Sequence, residues 1–86
     1  MKQFEYTVKN ALGIGVHSAG MLAKLVKGCG DTVVTVKKGS ETARTSQLMR
    51  LVTMGVRQGD ALVVTVEGPD ENRAIVAVRA FFEENL

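Results

Sequence analysis

His17 is the only histidine in the 86-residue chain. It lies in the segment Asn10-Ala11-Leu12-Gly13-Ile14-Gly15-Val16-His17-Ser18-Ala19, a glycine-containing loop that runs into a helical pattern. A neutral imidazole is a nucleophile able to carry a group covalently. Beside a helix start it is also close to backbone amides that have no intrahelical partner, the surroundings in which phosphate and other anions are stabilised. These residue types in this order point to anion binding at the head of a helix. The alternative is a surface histidine that merely hydrogen-bonds the helix end. Gly15 brings no functional group; a glycine there accommodates positive φ and adds loop freedom. Ser18 has the side chain of a helix cap.

Other chemistries find little support. One cysteine, Cys29, excludes an internal disulfide, and the ligand clusters of a zinc site are missing. A net charge of +2, with one tyrosine and three phenylalanines, supplies neither the basic stripe nor the stacking platform of a nucleic-acid binder. No apolar run approaches the ~20 residues of a membrane-spanning helix, and Met-Lys-Gln-Phe-Glu does not open a signal peptide. The expectation is a soluble, cytoplasmic protein with no metal and no cofactor. A chain this short buries only ~60% of its unfolded surface, which suits a single domain over residues 1–86.

The elements that must position the loop are legible from hydrophobic period. Phe4, Tyr6 and Val8 alternate with Glu5, Thr7 and Lys9, as in a strand with one buried face. From Ser18 the period changes to that of a helix, with Leu22, Leu25, Val26 and Cys29 on one side and Gly28 and Gly30 at its end. Val33 to Val36 and Thr42 to Arg44 read as strands around the hairpin turn Lys38-Gly39-Ser40. Leu48, Leu51 and Val52, after Thr45-Ser46 and before Gly55, read as a short second helix. The β-branched run from Asp60 to Glu67 suits a central strand. Gly68-Pro69-Asp70-Glu71 opens a last helix with Ala74, Ile75, Val78, Phe81 and Phe82 inward. The order β-α-β-β-α-β-α predicts an α+β open-faced sandwich, four antiparallel strands covered on one face by three helices.

That order and several motifs resemble the histidine-containing phosphocarrier (HPr) family of the sugar phosphotransferase system. The family loop reads approximately Asn-x-Leu-Gly-Leu-His-Ala-Arg-Pro-Ala and, laid down without a gap, matches Asn10, Leu12, Gly13, Ile14 and Ala19. Gly39 matches the hairpin glycine. Thr53-Met54-Gly55-Val56-Arg57-Gln58-Gly59-Asp60 resembles the family's Thr-Leu-Gly-Val-x-Gln-Gly-Asp, and Gly68-Pro69-Asp70-Glu71 with Ala74 resembles Gly-x-Asp-Glu-x-x-Ala. The resemblance covers nearly the whole chain.

The departures fall where the family does its chemistry. In the ungapped register Gly15 stands for the phosphoryl-accepting histidine, His17 for the arginine that follows it, and Ser18 for the helix-starting proline. A competing register slides His17 onto the active histidine. It needs an insertion before the loop and a matching deletion in the helix, and it loses Leu12, Gly13, Ile14, Ala19, Lys24 and Lys27 as matches. In the family the histidine takes phosphate from enzyme I and hands it to sugar-specific transporter domains. The resemblance also implies a regulatory serine at the short helix, phosphorylated by a dedicated kinase in some members. Counted from Gly39 that position is Ser46, and counted back from Gly55 it is Gln47. The bland role for Ser46 is a helix cap. A docking surface on the first two helices is implied too, formed here by Lys24, Lys27, Leu48, Met49, Arg50 and Val52. Leu48 and Val52 are equally readable as core, and Arg50 or Arg57 could approach His17.

The resemblance thus implies a phosphotransferase-system protein that acts by binding partners or by regulation and not as an enzyme. Its partners would be enzyme I, transporter domains, or a regulatory protein or kinase. A working phosphocarrier using His17 is the alternative, and a degenerate domain with an unrelated partner is the third reading.

Overall fold

The computed structural model describes residues 1–86. The elements run β1 (Lys2–Thr7), α1 (Val16–Lys27), β2 (Val33–Lys38), β3 (Glu41–Arg44), α2 (Leu48–Thr53), β4 (Ala61–Glu67) and α3 (Glu71–Asn85), in the order read from the sequence. All strand pairs are antiparallel and the sheet order is β1-β4-β2-β3. The β-branched strand β4 is therefore central, hydrogen-bonded to β1 on one side and β2 on the other. Strand alternation sends Phe4, Val34, Val36, Ala43, Leu62, Val64 and Val66 into the core. Glu5, Thr35, Lys37, Thr42, Arg44, Val63 and Thr65 lie on the face the helices leave open.

The helices close the other face with the stripes their periods require. α1 buries Ala19, Leu22 and Val26, α2 buries Leu51, and α3 buries Ala74, Val78, Phe81 and Phe82. Phe82 is wholly enclosed. Its ring meets Phe4 and Tyr6 edge-to-face at 5.7 and 5.4 Å between centroids. Burying a side chain of this size contributes about 3 kcal/mol, with a further ~1 kcal/mol from the ring geometry. The β2–β3 hairpin turns at Gly39, whose φ of +59° is the left-handed conformation that a two-residue hairpin demands.

Three local expectations are corrected. α1 starts before Ser18: Gly15 is the N-cap and Val16 the first helical residue. Ser18 occupies the third helical position and serves the helix end from there. Ser46 is not the cap of α2, because Gln47 takes that position and caps with no side chain. Gln47 Oε1 instead accepts the Arg44 N–H at 3.0 Å, closing the turn from β3. Cys29 is buried as expected, but in the turn after α1 and not on its stripe, with Sγ 3.5 Å from the Leu25 carbonyl.

Candidate functional site

The loop between β1 and α1 is held from three directions. Asn10 folds it locally: Oδ1 accepts the Leu12 N–H at 3.0 Å, and Nδ2 donates to the Gly13 and Asn85 carbonyls at 3.4 and 3.2 Å. The end of α3 anchors its start, with the Lys9 and Asn10 N–H groups both donating to the Leu86 oxygen. The segment after α2 forms its floor, where the Ile14 N–H meets the Val56 carbonyl at 3.4 Å. Gly13 makes that approach feasible. Its φ is +63°, and a Cβ built on it would stand 2.0 Å from the Val56 oxygen and 3.1 Å from Arg57 Cα. Leu12 and Val16 flank the loop as exposed apolar residues.

At the helix head Ser18 Oγ accepts the Gly15 N–H at 3.1 Å and donates to the Gly15 carbonyl at 3.3 Å. Only half of a reciprocal capping box exists, because a glycine N-cap has no side chain to return the bond. The first intrahelical bond is Ala19 N–H to Gly15 O at 2.9 Å. The amides of Val16, His17 and Ser18 precede it, so the anion-attracting end of α1 is free of side-chain caps.

Gly15 does not use the positive φ that a glycine accommodates. Its backbone is extended, φ −105° and ψ −176°, and nothing lies within 4 Å of a Cβ added there. The fold leaves room for a side chain at this position and makes no backbone demand for glycine.

His17 is a helical residue in the first turn of α1, not a loop residue. It is exposed and takes no part in the hydrogen bonds that shape the loop. Its spacing from Met21 and Lys24 (i, i+4, i+7) puts these three exposed side chains on one solvent face of α1. Arg57 lies beside the loop, with its Cα against Gly13. Arg50 points elsewhere: its Nε donates to the Thr42 carbonyl at 2.7 Å, which directs it from α2 to β3.

The remaining residues of the expected docking surface lie as follows. Lys24 and Lys27 are exposed on α1, which packs directly on α2. Met49 is 63% exposed, whereas Leu48 and Val52 are half-buried against the core and belong partly to each role proposed for them. Leu12, Val16 and Met21 add apolar surface that the sequence did not mark as functional, although their positions off the buried stripe were a usable signal. Ser46 is exposed and shares a hollow of about 440 Å³ with Lys27 and Thr45. No three His, Cys, Asp or Glu side chains gather closely enough to hold a metal ion. No helix is long and apolar enough to cross a membrane.

Residues 2–84 match the family model described as PTS HPr component phosphorylation site. The chain is 26% identical to the phosphocarrier protein HPr of Mycoplasma genitalium over 85 residues, covering 99% of this chain and 97% of that one. It is 28% identical over 83 residues to the Vibrio cholerae phosphocarrier protein HPr, covering 96% of this chain and 94% of that one. Among solved structures, HPr-C-His from Thermoanaerobacter tengcongensis superimposes with a TM-score of 0.87 at 25% identity, covering 98% of this chain and 93% of that one. The Mycoplasma histidine-containing phosphocarrier shares the fold, with a TM-score of 0.89 over 96% of this chain and 93% of that one, at 18% identity.

Proposed function

This chain belongs to the HPr family of the phosphotransferase system, and on that premise we propose that it is a partner-binding, regulatory member lacking the usual phosphohistidine. The observation that carries this reading is Gly15 at the N-cap of α1. The position closest to the free amides holds a residue without a nucleophile, and Leu12, Gly13 and Ile14 lead into it in the family's order. His17 stands beyond it, on the solvent face of the helix with Met21 and Lys24. There its imidazole reads as part of the docking surface.

That surface would combine the exposed apolar residues Leu12, Val16 and Met49 with His17, Lys24 and Lys27, a mixture of apolar groups and positive charge typical of interaction sites. It suits acidic faces of phosphotransferase-system partners, enzyme I and transporter domains among them, in the cytoplasm. The regulatory half of the reading rests on Ser46. A phosphate there would lie across the hollow from Lys27, whose ammonium would form a charge-assisted pair with it.

The experiment is intact-mass analysis after incubation with enzyme I and phosphoenolpyruvate, and separately with a serine kinase of this system and ATP. The reading expects no added phosphate in the first incubation. In the second it expects one phosphate that Ser46→Ala abolishes. Acid-labile phosphate in the first incubation, lost in His17→Ala, would establish the carrier instead.

A further inference from the structure

The far side of α2 carries a second concentration of positive charge. Arg44 ends β3 on the open face of the sheet, opposite Thr35. Thr42 shares that face, with Lys37 as its cross-strand neighbour. Arg50 arrives from α2 over the free edge of β3, fixed by its 2.7 Å bond to the Thr42 carbonyl. Gln47, held through Oε1 to the Arg44 N–H at 3.0 Å, retains its amide nitrogen as a donor. Thr35, Thr42, Arg44, Gln47 and Arg50 line a cleft of about 510 Å³ with no apolar side chain in its wall.

The cations of this cleft have no acidic partner. The ion pairs of the protein engage Glu71, Asp60 and Asp70, all elsewhere. Glu41 borders the adjoining hollow beside Arg50 but forms no ion pair with it. Two guanidinium groups gathered on one cleft repel each other, and a bound anion removes that cost. Their planar forks match the paired oxygens of a phosphate, which a single ammonium does not.

We propose that this cleft binds the phosphomonoester of a small polyhydroxylated molecule, at a site separate from the head of α1. Arg44 and Arg50 would hold the phosphate, and the Thr35 and Thr42 hydroxyls with the Gln47 amide would meet the hydroxylated body. The all-polar wall offers nothing for a base or aromatic ring to stack on. The volume falls within the range of small-ligand sites. The site stands whether or not His17 carries phosphate.

The test is a set of amide proton–nitrogen correlation spectra of the full chain, titrated separately with glucose 6-phosphate, inorganic phosphate and glucose. Saturable shifts at Thr35, Thr42, Arg44, Gln47 and Arg50 are expected with glucose 6-phosphate. Inorganic phosphate should bind about tenfold more weakly, and glucose alone should leave the cleft unmoved. Arg44→Gln and Arg50→Gln should each weaken binding about tenfold or more, while Lys2→Gln, the same charge change at a distant exposed position, should not. The unshifted remainder of each spectrum reports that the variants are folded. An equal loss in Lys2→Gln, equal affinity for inorganic phosphate, shifts confined to Val16–Ala19, or no saturation by about 10 mM would each overturn the proposal.

Discussion

The backbones of Gly13 and Val56 meet so closely that the space for a Gly13 side chain is already taken by the Val56 carbonyl, 2.0 Å from where a Cβ would stand. This contact joins the loop before α1 to the segment after α2, and so sets the height of the α1 head above the core. Gly13→Ala must both hold alanine at φ +63° and push the two segments apart. A loss of about 2 kcal/mol or more is expected, which for a domain of this size lowers Tm by about 10 °C. Thermal unfolding followed by circular dichroism checks it.

Gly15 should behave in the opposite way. Its extended backbone suits any residue and its Cβ position is open. Alanine reduces the freedom of the unfolded chain but is a poorer N-cap than glycine, and the two effects oppose each other. Gly15→Ala should therefore change stability by no more than about 0.5 kcal/mol in chemical denaturation.

Asp60 makes stability depend on acid. The Arg57 N–H, bound to Oδ2 at 2.8 Å, and then Lys38, whose Nζ is 3.0 Å from the same oxygen, hold its carboxyl below the usual carboxylate range. A group whose pKa is lower in the folded state stabilises the fold above its unfolded value and loses that effect as pH falls through the folded one. The Tm difference between wild type and Asp60→Asn should thus be largest near neutrality and close on acidification. Lys38 also donates to the Gly55 carbonyl at 2.9 Å. In Lys38→Met the folded carboxyl lies closer to its unfolded range, so the acid loss should be smaller and complete at a higher pH than in the wild type.

Tyr6 makes it depend on alkali. Its buried hydroxyl has no hydrogen-bond partner, and burial, then the charge of Glu83, push the phenol above its ordinary pKa. Here the folded value is the higher one, so the contribution is complete below the unfolded pKa and is lost as pH rises through the folded one. Tyr6→Phe keeps the ring against Phe82 and removes an unsatisfied hydroxyl. Its stability at neutral pH should match or exceed wild type by up to about 1 kcal/mol. The alkaline decline of guanidinium-unfolding midpoints should be shallower in the variant.

Much of this was legible before the fold was known. The inward stripe of α3, the central place of β4 and the hairpin at Gly39 follow from period, β-branching and turn chemistry, which are local and strong. The head of α1 was harder to read, because a serine can serve a helix end from the N-cap or from the third helical position. Residue type alone cannot distinguish Ser18 in these two roles. The same ambiguity misplaced Ser46, where Gln47 satisfies the turn with its amide. The position of Arg50 on α2 groups it with the expected docking surface, and residue type does not reveal that the Thr42 carbonyl on the edge strand accepts its Nε–H. Glycine at position 15 accommodates a positive φ that the backbone does not adopt, since a glycine type signals permission and not conformation.

If the docking surface persists while the phosphoryl acceptor is absent, restoring the acceptor should restore phosphotransfer. The Cβ position at Gly15 is open and His17 is exposed, so Gly15→His with His17→Arg starts from unobstructed sites. Wild type and double variant would be incubated with enzyme I and phosphoenolpyruvate and read by intact mass. The wild type should stay unmodified and the double variant should gain an acid-labile phosphate. A wild type that takes up phosphate through His17, or a double variant that enzyme I ignores, would contradict this reading.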